Sequence, residues 1–112
     1  EPLVHAEACA TLALLGVRAE LPRDAVRSVG GYWQPKYSLP NRRMVEAVQM
    51  LARLEAVPLD PTYTGKAMAG LIGLVRAGEF ERGDNVLFIH TGGLPSLFAA
   101  TGVVLGRTAV PD

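Results

Sequence analysis

Two tyrosines, two threonines and several glycines carry the reactive groups of this chain, and most of them fall in two short strings. "DPTYTGKAMAG" covers residues 60–70 and "LFIHTGGLPSLFA" covers residues 87–99. Each string joins a hydroxyl-bearing residue to glycine where a helix is about to begin. Tyr63 lies in the first string, and Tyr37 lies in the proline-bearing loop "GGYWQPKYSLP", residues 30–40. A phenol in a loop can donate a hydrogen bond or exchange a proton, and a nearby cation makes it more acidic. Thr91 and Gly92 follow the apolar run "VLFIH". In an open α/β sheet, ligands sit outside the carboxyl ends of the strands, and glycines there let them approach the backbone. Plainer roles compete at every position. Thr91 also suits a turn or helix cap, Thr64 is a natural N-cap for a helix starting at Gly65, and loop tyrosines often serve packing. Lys66 follows a glycine, but no G-x-x-x-x-G-K-[ST] frame surrounds it, so a P-loop is excluded.

The other reactive side chains point to less. His90 closes the apolar run and reads as a structural histidine. His5 has no companion at metal-ligand spacing, and no metal site is expected. Ser96 has no nominated base. Cys9 is the single cysteine, so an internal disulfide and a cysteine metal cluster are both excluded. A reducing, cytoplasmic setting is the expectation.

The elements that must position these groups follow from periodicity. Residues 2–15 are rich in Ala and Leu and read as a mostly buried helix ended by Gly16. Residues 18–29 give weak signals, at most a short helical turn and one strand. A helix is predicted from Asn41 to Leu54, because Met44, Val48 and Leu51 recur on one side and Arg42, Arg43, Glu46, Gln49 and Arg53 on the other. A second is predicted over residues 65–77 with Gly78 as its stop; Gly70 and Gly73 inside it predict close approach to a neighbouring backbone. Residues 86–90 read as a strand buried on both faces, followed by a short final helix. The fold class expected is α/β, helices around a mostly parallel sheet that this chain completes only in part.

Composition bounds the function. The chain has 112 residues, 49% of them hydrophobic, with eleven basic and eleven acidic residues and no net charge. A sizeable core is possible, and the electrostatic reasons to expect nucleic acid or an anionic membrane are missing. No apolar run is long enough to cross a bilayer. The chain starts at Glu1 without a basic leader or an initiator Met, and a piece of a longer protein is expected.

Taken together, "PLDPTYTGKAMAGLIGLVRAGEF" (58–80) and "NVLFIHTGGLPSLFA" (85–99) closely resemble the C-terminal part of the D-cysteine desulfhydrase and 1-aminocyclopropane-1-carboxylate (ACC) deaminase family. These are pyridoxal 5'-phosphate (PLP) enzymes of the tryptophan-synthase-β-like fold, fold type II. The resemblance is strong from about Tyr37 to Ala99 and weaker before it. It implies that Tyr37 and Tyr63 are active-site tyrosines acting on the substrate. It implies that Thr91, Gly92 and Thr64 line the cofactor, with the Thr91 hydroxyl on the pyridine nitrogen. The family's P-G-Y-G-x-P setting reads "PKYSLP" here, with Lys36 and Ser38 in place of glycines. The deaminase branch typically has Glu and Leu where this chain has Thr64 and Thr91, so the pattern looks like desulfhydrase. That implies α,β-elimination of D-cysteine to pyruvate, ammonia and hydrogen sulfide. ACC deaminase and L-cysteate sulfo-lyase are the alternatives, and a non-catalytic α/β module or degenerate homologue is the alternative of another class. The family's Schiff-base lysine and phosphate loop belong to its N-terminal part. Residues 1–112 are therefore expected to be the C-terminal portion of the large PLP-binding domain, inactive alone. Lys66 is expected to hold structure or tune the nearby tyrosine. A small amino acid as substrate and a homodimer as the intact enzyme complete the expectations, with no nucleic acid and no membrane as partner.

Overall fold

The computed structural model describes residues 1–111. The chain divides into two compact units, Glu1–Gly30 and Gly31–Asp112. The first holds helix α1 (Pro2–Leu14) and a 3-10 turn at Arg23–Ala25. Gly16 ends α1 as the sequence predicts. Its N–H donates to Ala13 O and that of Val17 to Leu12 O, the paired reach-back that satisfies carbonyls at a helix end. The expected burial does not occur: no residue of α1 is buried, and Leu3 and Leu14 are 73% and 87% exposed. A unit of one helix and one turn has no second apolar layer to cover a helix that is apolar all round.

The second unit is built on α2 (Arg42–Glu55) and α3 (Thr64–Arg76), followed by α4 (Pro95–Ala99) and α5 (Thr101–Val104). Asn41 starts α2, its side-chain oxygen accepting from Met44 N at 2.8 Å. Met44, Ala47 and Val48 of α2 meet Met68 and Ala69 of α3, with Leu59 from the connecting loop, and these six form the buried core. Gly65 lets the helices approach: a Cβ there would stand 2.8 Å from Val48 Cγ2 and 2.6 Å from Asp60 O. Gly73 also marks a close approach, but to a ring and not to a backbone, while Gly70 makes ordinary contact with the same ring. Tyr32 lies across them, and a Cβ at Gly73 would overlap its phenol. Arg43 covers the same ring at 5.4 Å from its centroid.

The α/β expectation needs correction. Among the described residues there is no strand, neither at 86–90 nor between 18 and 29. The apolar run has no regular structure: Leu87 and Ile89 are 84% and 66% accessible, while Phe88 between them packs against the core. A strand exists only as a partner in a hydrogen-bonded ladder, and this chain offers residues 86–90 no neighbour. The run records the burial it is suited to; the fold of these 111 residues is helical.

Candidate functional site

The site grows from the carboxylate of Asp60. The residue is fully buried, and its side chain turns back onto the start of α3. Oδ2 accepts from Thr62 N at 2.7 Å and Tyr63 N at 2.8 Å, while Oδ1 accepts from Thr64 N at 2.7 Å and from the Thr64 hydroxyl at 2.6 Å. The Thr64 hydroxyl in turn accepts from Asp60 N at 2.9 Å. Two N–H groups that the helix start leaves without partners, those of Tyr63 and Thr64, are thereby satisfied together with that of Thr62 before them, and a negative charge faces the positive end of the helix dipole. Burial pushes the Asp60 carboxyl up, but the bonds from Thr64, Tyr63 and Thr62 outweigh it and hold its pKa below the usual value. One sequence expectation changes here. The N-cap position is Tyr63, not Thr64, and the Thr64 hydroxyl, 2% exposed, is engaged inward with Asp60. Asp60 itself was missed, although aspartate followed by proline a few residues before a helix is a recognisable turn and capping signal.

On this turn stands Tyr63, 57% exposed, and against it Tyr37, 65% exposed. Their hydroxyls share a hydrogen bond, and the rings meet edge to face, 5.9 Å between centroids at 60°. The hydrogen bond to Tyr37, then the charge Tyr37 would carry, then burial and the Asp60 carboxylate all push the Tyr63 phenol up. The loop bearing Tyr37 lacks regular structure and includes a cis Gln34–Pro35 peptide. Side chains hold its carbonyls. Asn41 Nδ2 donates to Tyr32 O and Gln34 O at 3.2 and 2.5 Å, and Lys66 Nζ donates to Trp33 O and Lys36 O at 2.7 and 3.0 Å. Ser38, where the resemblance expects glycine, has φ +62°, so the chain keeps the left-handed turn without the residue that adopts it freely.

The second corner packs on the first. His90 Nε2 donates to Pro58 O at 3.0 Å, and its Nδ1 accepts from Gly92 N at 3.1 Å, which makes it a structural histidine with both nitrogens occupied. Gly93 presses on Asp60 so closely that a Cβ would lie 2.8 Å from the carboxylate carbon. Gly92, by contrast, has φ +98° and open space where a Cβ would stand, and Thr91 beside it is exposed. Tyr37, Tyr63 and the Thr91–Gly92 corner thus belong to one assembly tied through residues 58–60; Thr64 lies within it, beneath the turn.

Similarity to known proteins bears on this assembly. A family model described as pyridoxal-phosphate dependent enzyme matches residues 3–92. A solved structure described as an ACC deaminase homologue is 33% identical, with a TM-score of 0.67 over 87% of this chain. The chain spans 28% of the length of that protein. The cofactor expected from the sequence is the one on which the matched family depends.

Proposed function

We propose that this chain, which belongs to the pyridoxal-phosphate dependent enzymes, forms one wall of the active site of a carbon–sulfur lyase that eliminates hydrogen sulfide from D-cysteine. The C-terminal portion of the PLP-binding domain is the part assigned to it, and the remainder of the site comes from the rest of a longer polypeptide. One observation carries the reading: two exposed, mutually hydrogen-bonded phenols stand on the same scaffold as an open threonine–glycine corner.

The residues present fit the cofactor. A Cβ built on Gly92 meets no atom within 4 Å, so a flat ring can reach the backbone there. Thr91 presents a neutral hydroxyl, suited to share a hydrogen bond with a pyridine nitrogen without fixing a proton on it. Bound PLP supplies the electron sink for breaking bonds at the α-carbon of an amino acid. A carboxylate in place of Thr91 would keep the ring protonated and make the sink stronger. Expelling a β-thiol does not require that strength, because electrons leave with the sulfur. Tyr63 stays protonated near neutral pH, its acidity lowered first by the bond to Tyr37. It is therefore suited to give a hydrogen bond or a proton to a departing sulfur, with Tyr37 to replace that proton.

A second reading is ACC deaminase, favoured by the likeness to an ACC deaminase homologue. Thr64 and Thr91 support the lyase, since the resemblance places Glu and Leu at those positions in the deaminase branch. L-cysteate sulfo-lyase shares the lyase pattern. The deciding experiment assays the intact protein, loaded with PLP, on D-cysteine, ACC and L-cysteate. Sulfide and pyruvate from D-cysteine are expected. Ammonia from ACC without sulfide would establish the deaminase, sulfite the sulfo-lyase, and failure to bind PLP the non-catalytic homologue.

A further inference from the structure

We propose that Lys66 is a positioning residue, whose ammonium braces the loop entering Tyr37 and so holds the Tyr37 phenol against Tyr63. This rests on reading the two phenols as working groups, and the experiment below separates the two ideas.

Lys66 is 6% exposed, and the partners of its ammonium are the carbonyls of Trp33 and Lys36. Burying an ammonium is costly unless its donors are used. A methionine is of similar length and would be buried at no such cost, so packing does not explain a lysine here. What the lysine adds is a grip on two carbonyls three residues apart in a segment without a helix or strand; Lys36 O also accepts from Leu39 N at 3.2 Å, and Lys66 ties that turn to α3. Lys36 O belongs to the peptide that leads directly into Tyr37. Lys66 also stands three residues after Tyr63 at the start of α3, on the neighbouring turn position. The connections therefore close into a ring: Tyr63, the first turn of α3, Lys66, the Lys36 carbonyl, Tyr37, and the hydrogen bond back to Tyr63.

The brace is needed because the phenol pair cannot supply it. A hydrogen bond between exposed neutral groups competes with water for the same donors and acceptors and adds little net stability. Fixing each backbone residue of a free loop costs conformational entropy that one such bond does not offset. Left to the pair, the loop would sample many arrangements. Asn41 helps through Tyr32 O and Gln34 O, but it also caps α2, so its loss would disturb the core. Lys66 carries no second duty of that kind.

The test uses the full-length holoenzyme carrying K66M, K66R or Y37F, and K66M with Y37F together. The first readout needs no substrate: titration of the Tyr63 phenol, followed by NMR of ring-labelled tyrosine and assigned with Y63F. In K66M the Tyr63 titration moves down toward the ordinary phenol range, as it does in Y37F, and K66R restores it at least in part. The second readout is kinetics with D-cysteine. K66M lowers kcat about tenfold to a hundredfold, the scale of a displaced catalytic group, with KM changed far less. In the Y37F background the same substitution changes kcat less than about twofold, because its target is already gone. Should K66M not fold, K66Q, which keeps a neutral, shorter amide NH2, takes its place in both arms. An unmoved Tyr63 titration overturns the proposal, as does an equal loss of kcat in both backgrounds. Absence of activity on D-cysteine would overturn the lyase reading and leave the titration to decide the role of Lys66.

Discussion

At residues 60–65 every donor at the start of α3 finds its acceptor within the corner itself, because Asp60 reaches Thr62, Tyr63 and Thr64 and its carbonyl takes Gly65 N at 2.8 Å. At residues 86–92 the corner is anchored by His90 on Pro58 O and by Phe88 against the core, and it borders an apolar run with Leu87 and Ile89 exposed. Both corners pair a threonine with glycine. In the first the glycine admits a neighbouring helix and the threonine faces inward; in the second Gly92 faces open space and the threonine faces out. A hydroxyl beside glycine thus serves structure where the surroundings are complete and is available to a ligand where they are not.

The largest expected effect comes from removing the charge that completes the first corner. D60N keeps one oxygen but turns an amide NH2 toward two N–H donors, and about 3 kcal/mol of stability should be lost. Denaturant unfolding measures it. Because the folded state lowers the Asp60 pKa, the stabilisation is full above the ordinary aspartate value of about 3.9 and disappears as pH falls through the lower folded value. Unfolding at a series of acidic pH values should show this slope in the parent and its loss in D60N. A parent whose stability is flat below pH 4 would break the comparison.

The glycines sharpen it next. G65A places a methyl against Asp60 O and Val48, and should cost about 1–3 kcal/mol through overpacking. G92A meets no atom and should cost about 1 kcal/mol from its positive φ alone, while weakening PLP binding by the intact enzyme. Thermal melts and cofactor titrations of both variants distinguish them. Equal effects on PLP affinity would erase the difference between the corners. The smallest effect is a gain: S38G should stabilise by about 0.5–1 kcal/mol, since glycine adopts the φ of +62° without strain, read as a small rise in Tm.

Sequence reasoning reached different depths in different places. The period of Met44, Val48 and Leu51 and the polar cap at Asn41 describe interactions within a few residues, and α2 forms where they indicate. Gly16 and Gly78 stop their helices for the same local reason. The strings around Tyr63 and Thr91 pointed to the pyridoxal-phosphate family, and the matching family model carries that description. The strand at 86–90 failed because an apolar run reports suitability for burial and not whether neighbours are present. The burial of α1 failed in the same way. Asp60 stood in plain view, but its role depends on a side chain folding back onto three backbone groups.

By itself the sequence determined α1, α2 and α3, the glycine stops of α1 and α3, and the pyridoxal-phosphate family, because propensity, capping and periodicity act over one or two turns of chain; it did not determine the split of the last helix into α4 and α5 or the cap of α3. Tertiary structure alone decided that Tyr37 meets Tyr63 across 26 residues and that Lys66 holds carbonyls 33 and 30 residues away. Such meetings arise when the core of α2 and α3 closes the intervening loop and so offsets the entropy of bringing distant groups together, and no short-range pattern records which groups then touch.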